Sequence, residues 1–295
     1  MMTTRRNFIK HTGLLAAGAA LIPSFSCSIG SAKHAVGLQL YSLRDIIGKD
    51  ITSIIEKVAA IGYKEVETYG YSKKEGFWGL SAKAFASLLK QNGLKSPSGH
   101  FDMDGFITGK GTDALKSYIN AANILGSEYV TVPYLQDQIR KTADDYKKIA
   151  HKLNEAASLC KSSGLKLAYH NHDFEFTKFN GVTGYEILLT ETDKNLVDFE
   201  LDLYWVARSG IDATTLFKAH PNRFAMWHVK DMDKKNKDLN TEIGQGTVNF
   251  KSIFAAAKLS GVKHYFVEHE FNYKPNELGS VKTSFEYVNN ELLVL

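Results

Sequence analysis

A single closed (β/α)8 barrel is the fold this sequence predicts, and three observations carry it. Eight short apolar or β-branched runs alternate with longer amphipathic segments from residue 36 onward. Several of these runs follow a glycine placed to close a helix, and chemistry-capable side chains collect where the runs end.

The runs predicted as strands are Val36 to Tyr41, Tyr63 to Tyr69, Leu94 to His100, Tyr129 to Pro133, Leu165 to His170, Val197 to Leu201, Phe224 to Val229 and His264 to Glu268. Helices fill the gaps. One is expected behind Asp50, another behind Ser81 as its cap, and a long one from about Thr142 to Cys160. Gly62, Gly93, Gly164 and Gly261 stand just before strands, as helix-closing residues do. Parallel strands joined by helices need both sheet faces covered, and eight such units allow the sheet to close on itself. An open doubly wound sheet is the alternative. Its dinucleotide fingerprint is missing from the first strand-to-helix turn, Tyr41-Ser42-Leu43-Arg44-Asp45.

The chain of 295 residues is long enough for two domains, but α/β barrels of this size form one unit. Residues 1–30 read instead as a twin-arginine export signal, leaving 31–295 for the barrel. The signal rests on Thr4-Arg5-Arg6-Asn7-Phe8-Ile9-Lys10, then a weakly apolar run from Gly13 to Ile22 ending at Pro23. That run is too short to span a bilayer of roughly 30 Å as a helix. Cys27, after Ser24-Phe25-Ser26, sits in a relaxed lipoprotein cleavage pattern lacking the usual aliphatic residue, so a lipid anchor at Cys27 is one expectation and removal with the signal the other. The expected location is therefore periplasmic or membrane-tethered. With Cys27 so placed, Cys160 has no partner, and stability must come from a large core rather than cross-links. The formal charge of +4 includes Arg5, Arg6 and Lys10, so the barrel is nearer neutral and nucleic acid is not an expected partner.

Strand one ends near Gln39 and Tyr41, strand two near Glu65 and Glu67, strand three at His100 with Asp102 beyond, and strand five in His170-Asn171-His172-Asp173 with Glu175 behind. Strand six carries Glu200 and Asp202, strand seven His228 followed by Lys230 and Asp231, and strand eight Glu268, His269 and Glu270. In a parallel barrel all of these meet at one mouth. Alternation puts His170 and His172 on one face and Asn171 on the other. So many buried charges would destabilise the fold unless paired, and a divalent cation would compensate the carboxylates while accepting imidazole lone pairs. A polar network without metal is the structural alternative.

These pieces together resemble the xylose isomerase-like superfamily of TIM barrels, the sugar phosphate isomerases/epimerases. The resemblance runs from Gly37 to Arg44, through Tyr169 to Phe176 and Leu201 to Trp205, to Trp227–Asp231, the loop Ile243-Gly244-Gln245-Gly246 and Val267-Glu268. It implies one divalent ion, held by Asp202, His228, Glu268 and, at the fourth position, His170 where the family usually has a glutamate. Manganese, cobalt, iron and zinc all suit such mixed ligands.

The activity implied is isomerisation or epimerisation of a sugar, by proton abstraction beside a carbonyl through a metal-stabilised enediolate. His172, Glu175 and Glu270 are candidate bases, with Lys230 or His100 stabilising oxygen charge or relaying a proton. Gln39, Tyr41, Glu67, His100 and Trp205 are expected to bind the substrate, a sugar or keto-sugar. Trp78 and Tyr204 are further aromatic candidates, and Gly244 and Gly246 form either a mobile lid or a turn. Three alternatives stay open: a lyase or hydratase of 3-keto-glycosides, a sugar-binding protein without catalysis, and a nuclease of the endonuclease IV type, which would want more metal ligands and a basic groove.

Overall fold

A computed structural model describes residues 35–294. The export signal and Cys27 lie outside the described residues. The eight parallel strands are β1 (Val36–Gln39), β2 (Glu65–Thr68), β3 (Lys95–Gly99), β4 (Tyr129–Val132), β5 (Lys166–His170), β6 (Val197–Asp202), β7 (Met226–Val229) and β8 (His264–Val267). They pair in the order β3-β2-β1-β8-β7-β6-β5-β4, so the sheet curls until its two edges meet. All eight fall within the predicted runs except that β6 extends one residue further, to Asp202. Two small antiparallel ribbons accompany the barrel among the described residues.

The edges β3 and β4 meet at the bridge between His100 and Thr131, with Phe101 N–H donating to Thr131 O at 2.9 Å, Glu128 N–H to Pro97 O at 2.8 Å and Ser127 Oγ to Ser96 O at 2.7 Å. Pro97 lies in the middle of β3 and has no N–H to give to a ladder, which confines it to an edge or an irregularity. The register between β2 and β3 shifts at the same level. The barrel is nearly closed, with its one weak seam where the proline stands.

The expected helix starts are present and chemically capped. Asp50 accepts from Ser53 N–H ahead of α1 (Ile51–Ile61), and Ser81 from Ala84 N–H ahead of α2 (Ala82–Gln91). After α3 (Asp113–Leu125), a reciprocal Thr142–Asp145 capping box opens α4 (Ala143–Ser162). Gly164 and Gly261 end their helices at φ +79°, a conformation a side chain would resist. Strand one is shorter than expected because Gln39 takes the hydrogen bond of Tyr41 N–H and turns the chain into a tight helical turn, Leu40–Leu43.

Alternation along each strand sorts the core into two parts. Leu167, Tyr169, Phe199, Leu201, Trp227, Val229 and Val267 belong to the apolar layer between sheet and helices. Their neighbours face the barrel axis. Tyr129, Ala168, Met226 and Phe266 form an apolar plug there, and Gly37 admits it, since a Cβ at that position would lie 2.5 Å from the Phe266 ring. Above the plug the inward side chains turn polar. Among the described residues no helix is long and apolar enough to cross a membrane.

Candidate metal centre and pocket

The polar interior has two levels that share His228. The lower one joins Glu67, His100, Glu200 and His228, and the upper one His170, Asp202, His228 and Glu268. Within each group the potential ligand atoms lie within 4.8 Å of one another, and every member is buried.

In the upper group His170 is the informative residue. Its Nδ1 lies 3.1 Å from the carbonyl of Pro133, which can only accept, so in the neutral ring that nitrogen carries the proton. Its Nε2 is buried without a hydrogen-bond partner, 3.5 Å from Asp202 Oδ2. A lone pair facing a carboxylate oxygen is a poor contact by itself and a good one around a cation. His228 Nδ1 stands 2.9 Å from Glu268 Oε2 and 4.0 Å from Asp202 Oδ2. Two imidazoles and two carboxylates are a donor set that suits a divalent transition metal, and the cluster could bind one.

Asp202 does two jobs with two oxygens. Oδ1 caps the helix α5 (Leu203–Arg208) by accepting from Tyr204 and Trp205 N–H, while Oδ2 faces the cluster. Lys230 lies alongside, fully buried, with Nζ 3.3 Å from Asp202, 3.0 Å from Glu268 and 2.8 Å from Glu270. Burial would lower its pKa, but those three carboxylates hold it well above the ordinary lysine value. Burial likewise pushes Glu268 upward, yet Lys230 and His228 keep it well below the usual carboxylate range.

The lower level orients the upper one. Glu67 lies 2.7 Å from His228 Nε2 and is itself fixed by Gln39 Nε2, by Ser98 Oγ and by His100. A carboxylate behind a ligating histidine sets its tautomer and ring orientation. Glu200 completes the level, 2.8 Å from His100 and 3.2 Å from His228. Gln39 and Glu67 were expected to touch substrate; both are fully buried in the hydrogen-bonded cluster behind His228, and neither lines the cavity. Glu200, legible in the sequence as one more acid on strand six, has this supporting place.

The cavity above the upper group has a volume of about 430 Å³, within the ordinary range for small-ligand sites. Tyr41, His100, His170, His172, Glu268 and Glu270 are among its lining residues. Asp102, placed beyond strand three, and Tyr69, which ends the second predicted run, also line it; Tyr71 and Tyr134 come from loops after the strands, where strand periodicity gives no guidance. Trp205 stands behind the wall, its ring 5.4 Å from that of His172 and 5.2 Å from Lys230 Nζ. Trp78 packs on Tyr69 and Phe85, and Tyr204 is buried with its hydroxyl on Lys237 O.

The three candidate bases separate clearly. His172 lines the cavity, and burial, reinforced by His170 and Lys230, holds its pKa well below the ordinary histidine value, so the ring is neutral in these surroundings. Glu270 lines it as well, paired with Lys230. Glu175 does not. It is fully buried, accepting from Tyr169 OH at 2.5 Å and from His172 N–H at 2.9 Å, on the outward side of β5. That placement corrects its expected role as a base: it fixes the backbone under His172.

Burial raises the Glu175 pKa to about 7, against the opposing hydrogen bonds of Tyr169 and His172. The unfolded chain releases this proton at the ordinary value of 4.5, so stability falls as pH rises from there to about 7 and then levels off. Glu175→Gln is expected to flatten that decline, measured by urea unfolding between pH 4.5 and 8. An unaltered slope would show that Glu175 does not cause it.

The glycine loop is a clamped turn. Asp231 Oδ2 accepts from Gly244 and Gly246 N–H, and Oδ1 from Met232 and Val248 N–H. A Cβ on Gly246 would lie 2.2 Å from Asp231 Oδ1, so only glycine allows the loop this approach.

Comparison with known proteins agrees with this architecture. The model of the xylose isomerase-like TIM barrel matches residues 55–290. An inosose dehydratase from Clostridium perfringens is 31% identical over 127 residues, a stretch that is 38% of this chain and only 42% of that protein. One from Lactiplantibacillus plantarum is 23% identical over 283 residues, 84% of this chain and 91% of that protein. A solved sugar phosphate isomerase/epimerase from Parabacteroides distasonis superposes with a TM-score of 0.79 at 27% identity, covering 91% of this chain and 98% of the other. With strand order, buried donors and family match in agreement, the chain belongs to the xylose isomerase-like TIM barrel family.

Proposed function

We propose that this protein is a metal-dependent enzyme that removes a proton from the carbon beside the carbonyl of a keto-sugar or keto-cyclitol. The observation that carries the reading is the placing of His172 and Glu270 on the same cavity wall as His170 and Glu268. A divalent ion held by His170, Asp202, His228 and Glu268 would supply Lewis acidity toward the substrate carbonyl. Its identity among manganese, cobalt, iron and zinc is open to the same ligand chemistry. His172 accepts the proton, and the Glu175 clamp on its backbone keeps the ring in place. Lys230, held cationic by Asp202, Glu268 and Glu270, provides positive charge near the oxygen that gains electron density. Glu270 is the second group at the cavity able to exchange a proton.

Return of the proton to another carbon or face makes the reaction an isomerisation or epimerisation. Loss of a hydroxyl or other substituent beside the enolate makes it a dehydration or elimination, and the dehydratase names of the relatives favour this second reading. Both begin with the same step. Incubation with inosose and with ketoses in deuterated water, followed by NMR, is expected to show solvent deuterium at the carbon beside the carbonyl, with unsaturated product signals if a substituent leaves. Bound ketose with no exchange would favour a sugar-binding protein without catalysis. The twin-arginine sequence supports a further proposal, that the barrel is exported and meets its substrate outside the cytoplasm.

A further inference from the structure

Beyond the reaction, we propose that the face of the barrel opposite the metal centre docks on an anionic phospholipid surface, which leaves the mouth turned toward solution. Every parallel strand begins at that face, and lysines stand where the strands begin. Lys64 precedes β2, Lys95 opens β3, Lys166 opens β5, Lys194 lies in the turn before β6, and Lys263 precedes β8. All five are exposed. Lys90, Lys161 and Lys258 add to them from the last turns of α2, α4 and the helix Ala257–Ser260, which end on the same face.

Among the described residues, the exposed acids in these helix-to-strand connections are Glu128, Glu191 and Asp193. Glu65 and Asp198 stand near strand starts too, but they are engaged locally. Glu65 lies 2.8 Å from His264 Nδ1, and Asp198 Oδ2 accepts from Tyr129 OH at 3.0 Å and Lys166 Nζ at 3.1 Å. Residues 1–34 hold Arg5, Arg6, Lys10 and Lys33 and no acid, so the 36 lysines and arginines and 32 acids of the chain leave the barrel electrically balanced. The lysine excess on this face is therefore an arrangement of charge, which makes one end of a neutral body positive. Lysines in a last helical turn also complement the helix dipole. The five at strand starts lie outside the helices, and that role does not account for them.

The chain also enters the barrel on this side, because β1 begins at Val36. A lipid anchor at Cys27, one of the expectations from the sequence, is separated from Ala35 by residues 28–34, which reach at most about 30 Å. A barrel so tethered has this face close to the bilayer. Each lysine near an anionic membrane strengthens attachment several-fold, and its flexible stem needs no fixed partner.

Flotation of the full chain, purified without attached lipid, compares vesicles of phosphatidylcholine alone with vesicles that also contain phosphatidylglycerol. Binding to the anionic vesicles is expected to be about tenfold tighter or more at low salt, and to fade as salt screens the surface. Lys64→Gln, Lys95→Gln, Lys194→Gln and Lys263→Gln in one chain should weaken it by on the order of a hundredfold. Lys73→Gln, Lys74→Gln, Lys234→Gln and Lys235→Gln remove the same charge from exposed loops after the strands, and should change it by less than about threefold. Acetylation of the unaltered chain, mapped by mass spectrometry, needs no variant to fold: anionic vesicles should protect the strand-start lysines and leave Lys73 and Lys234 reactive. Equal binding to both vesicles, equal loss in the two variants, no loss in the first, uniform acetylation or equally tight binding of duplex DNA would each overturn the proposal. Deuterium exchange into a keto-sugar is read without vesicles, so either reading can fail while the other stands.

Discussion

Asp202→Asn is expected to lower kcat/KM on the order of a thousandfold and to abolish divalent-metal binding, with a loss of folding stability that comes from Lys230 losing a charge partner and not from the helix cap. The reason is the division of labour between the two oxygens. Oδ1 caps its helix through Tyr204 and Trp205 N–H, and an asparagine oxygen does this equally well. Oδ2 lies between His170 Nε2 at 3.5 Å and Lys230 Nζ at 3.3 Å, where an amide nitrogen supplies neither charge nor a lone pair. Lewis-acid stabilisation is worth several kcal/mol, and about 1.4 kcal/mol is tenfold in rate. Asp202→Ala should lose the same activity and in addition about 1 kcal/mol of stability, because the cap goes too. Metal content by elemental analysis, kcat/KM and thermal unfolding together decide the matter. A variant that keeps its metal and its rate would remove the upper cluster from consideration as the metal centre.

The largest stability effect is expected at Asp231, which touches no catalytic candidate. One carboxylate satisfies four backbone donors, those of Met232, Gly244, Gly246 and Val248. Leaving a buried donor unpaired costs about 1–3 kcal/mol. Some of these groups would recover water, so Asp231→Ala is expected to cost about 3–5 kcal/mol in all, a fall in Tm of roughly 10 °C for a domain of this size. Differential scanning calorimetry would check it. A fall of less than a few degrees would mean that the loop relaxes freely and that the clamp is incidental.

Asp231 also shows where reading the chain by itself stops. As the acid after His228-Val229-Lys230 it counted among the side chains gathered at the barrel mouth, whereas folding brings it the N–H groups of a loop up to seventeen residues away. Glu175 is the sharper case. Its position after the His170-Asn171-His172 run placed it among the bases, but the short helical turn Phe174–Phe176 carries it to the outward side of β5, against Tyr169. Whether a loop carboxylate faces a cavity or a core depends on the path of a few residues with no periodicity to read.

By contrast, the eight strands, the helix starts behind Asp50 and Ser81, and the placing of His170, Asp202, His228 and Glu268 at strand ends were legible in the sequence. Alternation fixes which side chains of a strand point inward, and a parallel barrel gathers all strand ends at one mouth, so pattern alone suffices for donors at strand termini. Depth within the barrel was decided only by the tertiary structure. Gln39 and Glu67, paired in register with each other, stand behind His228 and not against the cavity, a placement set by pairing across the whole closed sheet.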